Sequence, residues 1–483
     1  MEHGRFIQYM TAFALSLSTA TLGVSSAWPT PVIPKFHRNE TNVQITDNEI
    51  ATMLAMSAPG FVAGSLLTRF VADSFGTQTT VLASALPIAT GTVIAVLATQ
   101  AWLLFIMKFL WGFGTGMVST VVTMYLAEIA DKDIRGTLAV GTRFMFNLGS
   151  LLVISIGPFL SFSTLNYCIL GLPVIFFTAC LWIPESPYYY LKKGKVEQAR
   201  RVLIRLKGEE NAEIELESLK ADVNKEMRHS GTVCELFTGR QYRRPLVIAL
   251  GLKVTQIMTG TLTIQQYLGR IMQDANINMK LSTILVIFGI VKFVVGIMSS
   301  ILVDRVGRRP LLIYSYFAFG LCVATAGSYF FLLDVVSLNP SVLRPYGIVP
   351  FVAIILCSVV STLGFNSIIS IISAEVFPLN VKPVAMTTLN VFGGFAGFSV
   401  AKTYQAVKNI SGLCGAFWMF SLIAFSGAVF SYFVVPETRG KSLREIQEIF
   451  QINDNIETKI EETLLSKQNG GTELNVLNKE YSL

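Results

Sequence analysis

Pro184-Glu185-Ser186-Pro187 and Pro436-Glu437-Thr438-Arg439-Gly440 are short acidic tags, and each closes a block of about six long apolar segments. Read outward from these tags, the chain is one membrane unit laid down twice. Twelve stretches are long and apolar enough to cross a bilayer: near 8–29, 50–71, 78–98, 102–127, 137–160, 164–183, 245–270, 281–303, 310–333, 345–374, 384–407 and 412–435. A hydrocarbon core about 30 Å thick needs roughly 20 such residues per helix. In lipid every backbone group must be satisfied within its own segment, which predicts helices; barrel strands would be shorter and would alternate. The expected fold is an all-α membrane protein, with twelve transmembrane helices in two pseudo-symmetric six-helix bundles.

Composition agrees. Of 483 residues, 52% are hydrophobic and 14% charged, against about 25% charged in soluble domains. The charged lead Met1–Arg5 is weak and the apolar run after it reaches Trp28, a length that suits a retained first span rather than a cleaved signal. The net charge of +7 could suggest nucleic acid, but thirteen of the Lys and Arg residues fall between Lys192 and Arg244. That is the positive-inside bias, and it predicts a cytosolic central loop and cytosolic termini. Two glycosylation sequons, Asn39-Glu40-Thr41 and Asn409-Ile410-Ser411, then fall on the outer side, where acceptors must lie. The cysteines (Cys168, Cys180, Cys234, Cys322, Cys357 and Cys414) have no framework spacing and read as small apolar residues.

Three pairs of markers repeat about 230–250 residues apart. Asp73-Ser74-Phe75-Gly76 follows the second span and Asp304-Arg305-Val306-Gly307 the eighth. Glu128 precedes Arg135 as Glu375 precedes Lys382. The tags are the third pair. Parallel repeats place a solute near the midplane between halves that rock about it. The expected division is residues 1–187 for the first half, 188–244 for a connecting loop, 245–440 for the second half and 441–483 for a tail. Val196 to Met227 reads as one or two surface helices, and Leu443 to Phe450 as another.

On these motifs the chain resembles the sugar porter family of the major facilitator superfamily. Ala27-Trp28-Pro29-Thr30-Pro31 and Lys402-Thr403-Tyr404 are most like its insect trehalose-transporting branch. The resemblance implies facilitative transport of a sugar, trehalose or a hexose, by alternating access, with no cofactor. It also implies that Glu128, Arg135, Glu185, Asp304, Arg305, Gly307, Arg308, Arg309, Glu375, Lys382, Glu437 and Arg439 form an inner-mouth gate whose ion pairs break and remake between states. The alternative is a topology anchor without a gating role. Gly76-Thr77-Gln78 lacks the arginines usual in the first-half loop, and Lys382-Pro383 replaces Arg-Gly or Arg-Ser.

Sugars are held by amides that donate and accept, and by an aromatic face. Gln256 matches the first glutamine of the family's seventh-span pair, and Thr259-Gly260 the following Ser/Thr-Gly. Ile257 and Leu262 replace the second glutamine and an asparagine. Asn366-Ser367-Ile368-Ile369-Ser370 replaces the tenth-span stretch that carries the sugar-stacking tryptophan, and Gly393-Gly394 replaces Asn-Trp. Arg143 stands where several members carry glutamine and Lys292 where most carry asparagine. Lys292 lies about 16 Å from either end of its span, where a lysine costs about 2.5–3.5 kcal/mol on insertion scales. It is expected to face the cavity or a partner. Either it gives the cavity, with Arg143, a field suited to an anionic solute, or its stem only reaches water there. The expected solute-binding residues are therefore Arg143, Gln256, Thr259, Lys292 and Asn366.

Residues 8–29 contain no ionisable group but Tyr9, which predicts a uniporter rather than a proton symporter. Gly440-Lys441-Ser442 lacks the leading glycine of a phosphate loop, and His3, His37 and His229 are scattered in loops, so neither an enzyme nor a metal site is expected. The rival reading is a transport-inactive solute sensor on the same scaffold. The expected partners are a small solute and the lipid bilayer, in the plasma membrane.

Overall fold

The computed structural model describes residues 2–130, 134–228, 233–275, 277, 279–302, 307–336, 344–377 and 381–437. The expected helix at Leu443 to Phe450 and the rest of 441–483 lie outside the described residues.

Among the described residues, eleven apolar helical segments are long enough to cross a membrane. The last is two spans. Residues Lys382–Val434 form one helical run broken at Gly412, whose φ of 71° and ψ of −171° are not helical. Sixteen residues of straight helix would separate Tyr404 from Phe420 by about 24 Å, yet their rings stack at 6.1 Å. The chain folds back at Gly412, and the count becomes twelve.

Four spans are broken, the second at Met56 between Asp47–Ala55 and Ser57–Phe75. The first runs as Glu2–Ala27 and Pro29–His37, well beyond the expected end near residue 29. Proline is tolerated in a helix's first turn, where its missing N–H would have no partner, so Pro29 starts a new helical piece instead of ending the span. The seventh runs as Arg240–Met258 and Thr261–Asp274. The tenth runs as Ile348–Leu363 and Phe365–Val376. Gly260, at φ 70°, sits where a β-carbon would lie 2.3 Å from the Phe420 ring. Only glycine gives both the left-handed turn and the room.

Packing repeats between the halves. The first span packs on the fifth and sixth, the second on the fourth, and the third on the fourth and sixth. The seventh packs on the last two, the eighth on the tenth, and the ninth on the tenth and twelfth. One close crossing pairs Gly60 and Gly64 with Gly112 and Gly116, where any β-carbon would lie 2.0–2.3 Å from a facing carbonyl oxygen. Small residues spaced by four let two backbones approach this closely in lipid. Across the halves, the fifth span meets the eighth, the second meets the eleventh, and the outer pieces of the first and seventh meet each other.

Four short helices, Pro187–Lys192, Val196–Lys207, Glu209–Arg228 and Val233–Thr238, connect the halves. The two middle ones were expected as surface helices. They bury Ala199, Leu203, Ala212 and Leu216 between them, and Arg200–Glu213 at 3.0 Å and Lys207–Glu215 at 2.8 Å flank that core. Gln8 donates to the carbonyl of Leu206 at 3.0 Å, which docks this layer onto the first span. The end of the bundle carrying this layer and both tags is called the tag end below. Asn39 and Asn409 lie at the opposite, sequon end.

Candidate functional site

At the tag end the two acidic tags do the same job. Glu185 Oε1 accepts from the backbone N–H of Thr77 at 2.8 Å and of Gln78 at 3.0 Å, the first residues of the third span (Thr77–Leu97). Glu437 accepts from the N–H of Arg308 at 3.0 Å and of Arg309 at 3.1 Å, the first residues of the ninth span (Arg308–Asp334). The first N–H groups of a helix lack intrahelical partners, and the helix dipole favours an anion there. A glycine precedes each helix because the carboxylate occupies the space a side chain would need. A β-carbon on Gly76 would lie 2.2 Å from Glu185 Oε2, and one on Gly307 3.1 Å from Glu437 Oε2.

Glu128 lies beside the first cap, with the Thr77 hydroxyl 3.5 Å from its Oε2. Lys192 pairs with Asp73 at 3.1 Å. Arg309 donates to the Tyr432 carbonyl at 2.5 Å and lies over the Tyr432 ring at 5.6 Å. The described contacts of Glu185, Glu437 and Arg309 thus stay within one half. Asp304, Arg305 and Arg439 lie outside the described residues, as do the side chains of Arg135, Glu375 and Lys382.

Deeper in the bundle, the breaks in the seventh and tenth spans bring two predicted residues together. Gln256 Nε2 donates to Asn366 Oδ1 at 2.8 Å. Gln256 Oε1 is buried with no hydrogen-bond partner. Thr259 is fully buried. Its hydroxyl lies 2.6 Å from the Gln256 carbonyl and 3.0 Å from the Thr261 hydroxyl, so it closes the helix break. Towards the sequon end, the Tyr267 and Tyr404 rings meet at 4.7 Å, tilted by 41°, and both hydroxyls are buried without partners, as is Gln405 Oε1. Buried polar groups are normally paired. Four unpaired ones on the seventh and eleventh spans make a polar lining able to exchange hydrogen bonds with a hydroxylated solute.

Lys292 reaches across the seam between the halves, with Nζ 3.4 Å from Ser150 Oγ on the fifth span. Gly289 and Gly296 flank it on the same helix face, close against Leu151 and Asn147. Arg143 is exposed. It lies seven residues from Ser150 on the same helix, about 10 Å nearer the tag end, so Arg143 and Lys292 stand at different heights along the seam. Lys253, one turn before Gln256, went unnoticed in the sequence. Its stem lies against Gly393, with Cε 3.2 Å from where a β-carbon would be. The i, i+3 spacing of Lys253 and Gln256 was the available signal.

Lys108, the lysine of the fourth span, has no facing acid in the sequence and is balanced otherwise. Its ammonium lies 4.8 Å from the Trp28 ring and 5.1 Å from Trp111, and it donates to the Ser25 carbonyl at 3.3 Å. Two indole faces and a carbonyl stand in for the missing carboxylate. Trp28 is fixed in turn by its indole N–H on Asn166 at 2.9 Å.

The halves meet in a polar clasp at the sequon end. Lys402 Nζ donates to the Thr52 hydroxyl at 2.5 Å, and Asn409 Nδ2 to Asn48 Oδ1 at 3.1 Å. Asp47 lies 3.8 Å from Lys408 and 3.2 Å from His37. Thr30 donates to the Gln265 carbonyl at 2.9 Å. The sequon end is closed in this conformation.

Twelve spans with repeated packing, broken helices around a polar interior and a clasp across the halves define a membrane-embedded carrier. Residues 5–450 match the family described as "Sugar (and other) transporter", and the chain belongs to that family. It is 30% identical over 447 residues to a facilitated trehalose transporter Tret1-2 homolog of Drosophila simulans, covering 92% of this chain and 90% of the relative. It is 29% identical to facilitated trehalose transporter Tret1 of Culex quinquefasciatus, over 92% of this chain and 85% of that one. Against the Aedes aegypti Tret1 it is 29% identical and spans 54% of that longer protein. Among solved structures, the inward-open xylose transporter XylE from Escherichia coli superposes with a TM-score of 0.76 at 18% identity, over 92% of this chain and 99% of that one. XylE bound to 6-bromo-6-deoxy-D-glucose gives 0.72, covering 92% and 100%. The major facilitator fold and a non-enzymatic carrier role follow.

Proposed function

We propose that this protein moves a sugar down its own gradient by alternating access, the two six-span halves (1–187 and 245–440) rocking about the polar interior while 188–244 tethers them. The observation that carries this reading is the Gln256–Asn366 pair with its unpaired, buried Gln256 Oε1. A sugar hydroxyl supplies the donor that this oxygen lacks, and the Tyr267 and Tyr404 hydroxyls and Gln405 offer further partners on the same side. Trehalose, the solute in the relatives' names, is the first candidate, and a hexose the second.

The absence of a carboxylate between residues 8 and 29 supports uniport. The charge bias of the connecting loop and the placement of both sequons at the far end support cytosolic termini and a plasma-membrane location. Glu128, Glu185, Gly307, Arg308, Arg309 and Glu437 hold the tag ends of their helices, and in this reading those ends close when the clasp at Asp47, Thr52, Lys402 and Lys408 opens.

Uptake of a radiolabelled sugar panel in oocytes tests the proposal. Saturable uptake, indifferent to a proton gradient and reduced at least tenfold in Gln256→Leu at equal surface expression, is the expected result. Surface-expressed protein that moves no sugar at all would overturn it.

A further inference from the structure

The interior of the bundle is electrically one-sided. Every acidic residue in the described spans (Asp47, Glu49, Asp73, Glu128, Asp274, Asp334 and Glu375) lies within a few residues of one end of its helical segment. Among the described residues the deep lysines are Lys108, Lys253 and Lys292. Lys108 is fully buried and committed to two indole rings and a carbonyl. The other two are half-buried. Lys292 crosses to Ser150 of the first half. Lys253 lies along Gly393, and the next residue, Gly394, packs on Val62 of the second span.

Lys292 and the part of the eleventh span beside Lys253 stand at similar rises from the tag ends of their helices. Lys292 is ten residues from Leu302 at the tag end, about 15 Å along its helix, and Gly393, where Lys253 lies, is eleven residues from Lys382, about 16 Å. Gln256 is one turn nearer the sequon end than Lys253. A solute bound to the Gln256–Asn366 pair would therefore have its tag-side edge level with two ammonium groups and no carboxylate. Unpaired cations at this depth are costly, and a solute anion would balance them.

We infer that Lys253 and Lys292 are an anion-binding element of the solute cavity, and that the preferred solute is an acidic sugar: a hydroxylated ring for Gln256 and Asn366 with one carboxylate or phosphate for the lysines. This rests on the sugar-carrier reading above and narrows its solute. Arg143, about 10 Å towards the tag end, lies on the route by which such an anion would leave.

The test is uptake of glucuronate, glucose 6-phosphate, glucose and trehalose into proteoliposomes holding the full-length protein, with the membrane potential clamped at zero. Wild type takes up one of the acids at least tenfold faster than either neutral sugar, and which acid it takes identifies the anionic group. In the Lys253→Gln/Lys292→Asn double variant the acid-to-neutral ratio falls at least tenfold, while Lys253→Arg/Lys292→Arg keeps it. Neutral sugars carried as fast as both acids by wild type overturn the inference and leave the sugar reading intact. No uptake of any of the four overturns both. An acid preference that survives in the double variant overturns the assignment to these lysines. Where the double variant does not fold, selective thermal stabilisation of wild type by the acid over glucose supports the inference, and equal stabilisation by the two overturns it.

Discussion

Glu185 and Glu437 show how one residue type, placed twice, builds two matching helix starts. Each carboxylate takes two N–H groups at the first turn of the third helix of its half. Replacing a capping side chain with alanine costs about 0.5–2 kcal/mol. Glu185→Ala and Glu437→Ala are expected to lower the detergent melting midpoint by similar amounts, read by fluorescence-detected size exclusion after heating. Gly76→Ala should cost more, roughly 1–3 kcal/mol, because φ 104° is unfavourable for alanine and its methyl meets the carboxylate. A Gly76→Ala variant as stable as wild type would remove the cap from the explanation. The repeat of the acids was legible in the sequence because the tags are unusual strings. Their use as caps was not, since a carboxylate at a helix mouth is equally able to reach an arginine or a backbone N–H, and only the fold decides. Thr259 shows the same gap. Its position beside Gln256 suggested the cavity, but a hydroxyl at a helix end is readily taken up by a nearby carbonyl.

Breaks rather than lengths set the chemistry of the spans. Periodicity and apolar length identified each helix, because lipid leaves no other way to satisfy the backbone. Those signals are blind to where a helix pauses. Gly260, Gly364 and Trp28 each interrupt a span and aim a polar residue inward or sideways. Gly260 and Pro29 were visible as letters, but glycine and proline are frequent in membrane helices and most do not break them. The clasp at the sequon end was invisible for another reason. Its partners, Thr52 with Lys402 and Asp47 with Lys408, are about 350 residues apart and belong to different halves. An exposed ion pair gives about 0–1 kcal/mol and a hydrogen bond about 0.5–1.5 kcal/mol. Asp47→Asn with Thr52→Ala is therefore expected to favour opening by about 1–2 kcal/mol, a shift of roughly 5–30-fold in the open population. A cysteine placed at Gln265, against the clasp, should react correspondingly faster with an impermeant maleimide. Labelling at the wild-type rate would mean that the clasp does not hold this end shut.

The halves repeat in packing as well as in sequence, and the two exposed ends of the molecule differ in kind. One carries the basic connecting helices and the acidic caps, the other both sequons. That polarity ties the charge bias to one face and the glycan acceptors to the opposite face, so a single glycan mapping tests the orientation. Asn39 lies in a loop with its side chain exposed and a left-handed φ of 54°, open to the glycosylating enzyme. Asn409 is different. Its Nδ2, the atom that would carry the sugar, donates to Asn48 across the seam, and its Oδ1 accepts from Gln405. A glycan there would remove a donor hydrogen from the clasp and put bulk between two helices that must close. Alternating access therefore favours a carrier glycosylated at Asn39 and bare at Asn409. Digestion with an amidase that strips N-glycans should give one mobility step, lost in Asn39→Gln and unchanged in Asn409→Gln. Two steps, one from each residue, would mean that the closed sequon end seen here is not part of the glycosylated protein's cycle. No step from either would turn the assigned orientation over.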